Sequence, residues 1–284
     1  MSPYISTGAF CSRYLPEIVE QARTNGLFRL ELSSDVAYAP DSIDVVRRCR
    51  NDFEFLLHNY FPAPADPFVL NLAAADPEML ARSRAHCRTA LEVSAEVGAP
   101  VFAAHAGFAV QPKVSELGQR LSDSAAVPRP VAYAIFRDSV GDLIEHGRRL
   151  GVRFLVENNV VTTKNARDGT NPFLLLAEPA EIKRLASDIG DGFGMLMDVA
   201  HFKISARTLG FDPVAGLIDL TPLIAAYHLS DNDGLSDDNL PFDGGAWFLP
   251  YLDHGLPMTI EVYRVVKEQI LSCITALKTG ERKE

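Results

Sequence analysis

Eight short apolar runs, separated by longer segments of helical periodicity, predict a closed (β/α)8 barrel of the TIM-barrel class for this 284-residue chain. Two further observations favour closure. Eight parallel strands close on themselves without leaving an edge, and no Gly-x-Gly-x-x-Gly follows the first strand, which argues against an open doubly wound sheet. With 47% hydrophobic residues and no low-complexity linker, the expectation is one domain spanning residues 1–284.

In chain order, strands are read at 4–7, 28–32, 53–57, 101–104, 153–156, 194–197, 225–228 and 258–260. Helical periodicity fills the intervals at 15–24, 42–50, 77–97, 131–150, 178–187, 213–220, 246–253 and 265–277. The third helix has a clear start, with Asp76 as N-cap and Pro77 at the first helical position. Three connections exceed a minimal turn: 106–130, 158–171 and 229–245, all rich in Gly, Pro, Asn and Asp. Each follows a strand, so in a barrel they gather at the C-terminal face, where active sites lie.

Lys and Arg number 27 against 37 Asp and Glu, a formal net charge of -10, so general attraction to nucleic acid or anionic membrane is not expected. No apolar run approaches the roughly 20 residues that cross a bilayer, and Met1-Ser2-Pro3-Tyr4-Ile5 lacks the features of a signal peptide. A cytoplasmic location is the expectation. Cys11, Cys49, Cys87 and Cys273 form no Cys-x-x-Cys pair and read as free thiols.

The chemistry concentrates at strand ends. His58 ends the third strand, His105 the fourth and Glu157 the fifth, followed by Asp198 with His201, His228 with Asp231, and Glu261. Four of the seven histidines fall at these positions, whereas His86, His146 and His254 fall in or beside helices and read as surface residues. Singly, each acid is more often a helix cap or a loop charge. Together, carboxylates converging on one barrel mouth repel, and a bound cation turns that repulsion into binding. Three carboxylates with one imidazole suit Mn²⁺ or Mg²⁺, with Zn²⁺ and Co²⁺ as alternatives.

The blocks Val156-Glu157-Asn158-Asn159, Met197-Asp198-Val199-Ala200-His201, His228-Leu229-Ser230-Asp231-Asn232-Asp233-Gly234 and Ile260-Glu261-Val262 resemble the xylose isomerase-like barrel superfamily. That superfamily includes sugar isomerases and epimerases, inosose dehydratases and type IV apurinic endonucleases. By resemblance to its ketose epimerases, Glu157, Asp198, His228 and Glu261 hold one divalent metal ion. The same resemblance makes Glu157 and Glu261 the catalytic acid and base of a proton transfer through a metal-stabilised enediolate. His58, His105, His201 and Asp231 are then expected on the substrate, a small-molecule sugar, sugar phosphate or sugar derivative. A homo-oligomer is left open.

The alternative is a metal-dependent hydrolase or dehydratase on the same barrel, like the inosose dehydratases or the type IV apurinic endonucleases. The endonucleases carry an Asp-x-His pair after the seventh strand, and here Asp237 is followed by Asp238 and Asn239. An amide is a poor zinc ligand beside imidazole, which favours sugar chemistry. Some epimerases place an arginine about six residues past the His ligand. Gly234 stands at that position, so the substrate is expected to differ from a free ketohexose. Lys203 and Arg207 read as a solvated face.

Overall fold

The computed structural model describes residues 2–280. Strands β1 (Tyr4–Ser6), β2 (Arg29–Leu32), β3 (Glu54–His58), β4 (Val101–His105), β5 (Arg153–Glu157), β6 (Met195–Asp198), β7 (Ile224–Leu229) and β8 (Met258–Ile260) form a closed barrel in sequence order. Every pair is parallel, and β1 closes against β8 through Tyr4 opposite Thr259 and Ile5 opposite Ile260. The predicted barrel is therefore the observed fold, and all eight strands lie where the apolar runs placed them.

The helices are α1 (Leu15–Asn25), α2 (Ser42–Cys49), α3 (Pro77–Val97), α4 (Arg129–Leu150), α5 (Pro179–Ile189), α6 (Val199–Leu209), α7 (Pro213–Leu220) and α8 (Lys267–Gly280). Asp76 caps α3 as expected, its carboxylate accepting from the Met79 amide at 2.8 Å. Two departures occur. The helix expected at 246–253 is only a 3₁₀ turn at Leu249–Tyr251, preceded by Gly244 and Gly245 and containing Pro250. Phe248 anchors this segment, fully buried edge-on to Phe242. Conversely, α6 was not foreseen, because almost all of its first two turns is buried and offers no polar stripe.

Strand alternation explains where the site forms. Phe55, Leu57, Phe154, Val156, Met197 and Tyr227 belong to the large cluster between strands and helices. Leu56, Ala103, Leu155, Leu196 and Ala226 form a second cluster, which fills the barrel interior. One period of two further along each strand stand His58, His105, Glu157, Asp198 and His228. These polar residues are thus the topmost interior layer, at the C-terminal mouth.

Candidate metal centre and active site

The structure brings Glu157, Asp198, His228 and Glu261 together, each offering a ligand-type atom within 4.8 Å of the others. Glu157, Asp198 and His228 have no solvent exposure and Glu261 is 6% exposed. His228 Nδ1 stands 2.8 Å from a Glu261 oxygen, 3.6 Å from Glu157 and 3.9 Å from Asp198. The decisive feature is what remains unpaired. Glu157 Oε1, Asp198 Oδ2 and His228 Nδ1 are buried and have no hydrogen-bond partner. Buried charge left unmatched costs several kcal/mol, roughly, unless a cation compensates it. Three carboxylates and one imidazole fit a divalent ion by donor chemistry and by these orphaned atoms.

Local structure fixes Asp198 in the cluster. Asp198 is both the last residue of β6 and the N-cap of α6, accepting the His201 amide at 2.7 Å through Oδ1 and leaving Oδ2 free. Asn158 braces the same residue, accepting from its amide at 2.9 Å and donating to its carbonyl at 3.0 Å. Asn159 donates to the carbonyls of Ala106, Gly107 and Leu175 and so ties the loops after β4 and β5 together.

Charge is distributed unevenly. Burial pushes the Asp198 carboxyl up to about 7, with Glu261 and Glu157 adding to the shift against His201 and His228. Burial pulls Glu157 upward too, but His105 and His58 outweigh it and hold the carboxyl well below its ordinary range. Its Oε2 lies 2.6 Å from His58 Nε2 and 3.0 Å from His105 Nδ1. Against the same burial penalty, His228 lowers Glu261 to about 2. Tyr263 lies over that carboxylate, its hydroxyl donating to Oε1 at 3.4 Å, and the negative charge keeps the phenol protonated.

The histidines expected on substrate are placed differently from one another. His58 is 2% exposed and turned to Glu157, with its ring 4.5 Å from that of His228. His105 keeps an open edge, and desolvation lowers it to about 4. His201 Nδ1 donates to the Asn158 carbonyl at 3.1 Å, and Nε2 meets Asp237 at 3.2 Å. Asp231 is not brought into the cluster. Its carboxylate accepts from Lys203 Nζ at 2.6 Å, and its backbone exchanges two hydrogen bonds with Leu240. Lys203 is accordingly half-buried in an ion pair, not a solvated charge.

Asn239 is buried, with φ 46°, and its amide oxygen accepts from Ser230 at 3.0 Å. It braces its own loop, while Asp237 reaches the site. Nor is His86 a surface residue. Its ring is half-buried against Tyr60 and Phe68, and Nε2 donates to the Asn59 carbonyl at 3.1 Å. His146 and His254 are likewise only part-exposed.

One member escaped the sequence reading. Glu31 of β2 is 2% exposed and stands 2.8 Å from His228 Nε2. The available signal was a glutamate alternating with Leu30 and Leu32, which puts it on the interior face.

These features define the class: a parallel β/α barrel with a carboxylate and imidazole cluster in its C-terminal mouth. The chain belongs to the xylose isomerase-like TIM barrel family, which it matches over residues 19–257. No curated protein matches the sequence. Among solved structures it is similar to a D-tagatose 3-epimerase-like protein (16% identity, TM-score 0.74, covering 100% of this chain and 99% of that one). It also resembles an L-ribulose 3-epimerase (14% identity, TM-score 0.67, covering 99% and 96%). A Thermus thermophilus protein soaked with ZnCl2 is similar over 100% of both chains, at 23% identity and TM-score 0.66. At such identities the likeness is one of fold. Among the described residues, no helix is long and apolar enough to cross a membrane.

Proposed function

We propose that the protein is a divalent-metal-dependent isomerase or epimerase of a sugar or sugar derivative. The observation that carries this reading is the buried set Glu157, Asp198, His228 and Glu261, in which Glu157 Oε1, Asp198 Oδ2 and His228 Nδ1 lack hydrogen-bond partners. Held by Glu157, Asp198, His228 and Glu261, a cation such as Mn²⁺ or Mg²⁺ would supply Lewis-acid stabilisation for charge developing on a substrate oxygen. The chain's own groups move the proton. One glutamate takes it from the carbon next to the substrate carbonyl, and the electron pair moves onto the carbonyl oxygen. The other glutamate must enter the step as the carboxylic acid; it returns its proton to that skeleton and leaves as the carboxylate, so that the pair ends with the acid and base forms exchanged.

Glu157 and Glu261 come from strands that are not neighbours, so they can address a bound sugar from different sides. His58 and His105 fix the Glu157 carboxylate and leave its Oε1 toward the other ligands. His201 and the part-exposed edge of His105 are the groups best placed to hydrogen-bond sugar hydroxyls. The similar epimerase structures accord with this reading.

A second reading has its own observation. His58, His105 and Glu157 also offer three ligand-type atoms within 4.8 Å, enough to seat a further ion and support hydrolysis or dehydration.

The discriminating experiment incubates Mn²⁺-loaded protein with a panel of ketoses and ketose phosphates in D₂O and follows the spectrum by NMR. Deuterium entering the carbon beside the carbonyl is the expected result. No exchange across the panel, together with cleavage of an abasic-site duplex, transfers the assignment to the hydrolytic reading.

A further inference from the structure

We infer that Glu31 is a positioning residue for His228, fixing which imidazole nitrogen is free to meet a cation; the inference rests on the metal-dependent reading above. His228 has no solvent exposure and lies between two sets of acids. Nδ1 faces Glu157, Asp198 and Glu261, while among the described residues Glu31, at 2.8 Å, is the one acid within 4 Å of Nε2, with the His58 ring beside it. An imidazole that offers its lone pair at Nδ1 carries its proton at Nε2. The nearest carboxylate oxygen to that nitrogen is Glu31 Oε1, at ion-pair distance.

Glu31 is itself held. Its Oε2 accepts from the Thr259 hydroxyl at 3.0 Å, which leaves Oε1 for the imidazole. Backbone register sets this contact, because Thr259 of β8 lies opposite both His228 of β7 and Tyr4 of β1. Two residues further along β1, Ser6 lies opposite Glu31. Glu31 is 2% exposed, and its Oε1 has no hydrogen-bond partner, the His228 imidazole at 2.8 Å being the charge-compensating group beside it. A buried carboxylate without a partner is costly, so its retention beside His228 calls for a job. Fixing a ligand imidazole's tautomer and raising its basicity is one such job, and removal of such partners typically weakens metal affinity by about 10- to 100-fold.

Glu31 has no place among the atoms that touch substrate in the proposed reaction. Its effect is therefore on cation affinity, with a smaller effect on chemistry once the site is saturated.

The test compares wild type, Glu31→Gln, Glu31→Ala and Thr259→Val, using Mn²⁺ alone as probe and a chromophoric chelator as competitor. Circular dichroism and thermal unfolding identify folded variants. The expected result is a rise in Mn²⁺ Kd of about 10-fold or more for Glu31→Ala. Thr259→Val should give a smaller rise, because it frees the carboxylate without removing it. In protein loaded with diamagnetic Mg²⁺, nitrogen NMR of the His228 imidazole should show the proton at Nε2. Unchanged Mn²⁺ affinity in folded Glu31→Ala, with wild type still binding, overturns the inference and spares the metal-dependent reading. A wild type that takes up no divalent cation overturns both.

Discussion

At the residue scale, Glu261 carries the sharpest prediction. Its carboxylate is both a candidate cation ligand and one of the two candidate proton carriers, so Glu261→Gln removes a charge and a base together. Turnover should fall by about 10²- to 10⁴-fold, the span attributed to general acid and base groups, and Mn²⁺ affinity should weaken as well. Steady-state kinetics at saturating Mn²⁺ check this, and unchanged turnover removes Glu261 from the mechanism. His86 gives a separate pH prediction. Burial lowers its imidazole from 6.5 to about 4, so the unfolded chain binds a proton that the folded chain refuses across that window. The penalty is absent above 6.5, grows as pH falls, and is complete near 4. Its slope is at most about 1.4 kcal/mol per pH unit. In urea unfolding from pH 7 to 4, His86→Gln should lose stability less steeply than wild type; parallel curves exclude His86 as a source of acid sensitivity. The two histidines show what sequence conveys. His228 was legible because it ends an apolar strand, whereas the burial of His86 comes from Tyr60 and Phe68, contacts that no local pattern encodes.

At the element scale, α4 provides a paired test, because two of its glycines face opposite demands. Gly147 packs against the end of β5: a Cβ there would collide with the Val152 carbonyl oxygen and approach Leu91 at 3.3 Å. Gly141 has only Ile189, at 3.9 Å, in its way. Gly147→Ala should destabilise by about 1–3 kcal/mol through overpacking. Gly141→Ala should stabilise by about 0.5–1 kcal/mol, since alanine loses less backbone freedom in a helix. Chemical denaturation of both variants reads the two signs, and equal shifts of one sign would show that propensity, not the β5 contact, governs α4. The elements that the sequence displayed are those with contrast between faces. Strand ends at His58, Glu157 and Asp198 stood out because alternation carries a polar residue into an otherwise apolar run. Helix α6 stayed hidden because Val199, Ala200, Phe202, Ile204 and Ala206 are all buried, so its pattern has no polar face. The stretch at 246–253 misled in the opposite sense: its aromatic and leucine spacing is helical, but Pro250 and the glycines before it leave a single 3₁₀ turn.

At the scale of the whole molecule, closure of the barrel is what makes the site costly without a cation. Eight strands must meet in sequence order for residues on β2, β5, β6, β7 and the segment after β8 to face one another, so each carboxylate is desolvated by the fold as a whole. Asp198 records that cost in a carboxyl pushed up to about 7 by burial and by its neighbours Glu261 and Glu157. Under the metal-dependent proposal, cation binding and folding are therefore linked. Because only the closed barrel assembles the cluster, an ion that binds the folded chain stabilises it by about 2.7 kcal/mol at a hundred times its Kd. Wild-type protein titrated with MnCl₂ should show a rising Tm that EDTA reverses, and Asp198→Asn should blunt the rise. Metal analysis sets the stoichiometry: about one ion per chain agrees with the sugar isomerase reading. Two or three tightly held zinc ions would instead give His58, His105, His201 and Asp237 a metal-binding part, in spite of Asn239 being turned into its own loop. A Tm indifferent to Mn²⁺, Mg²⁺, Co²⁺ and Zn²⁺ would mean that the orphaned atoms of Glu157, Asp198 and His228 are matched by protons alone, and the barrel would then have to work without a metal.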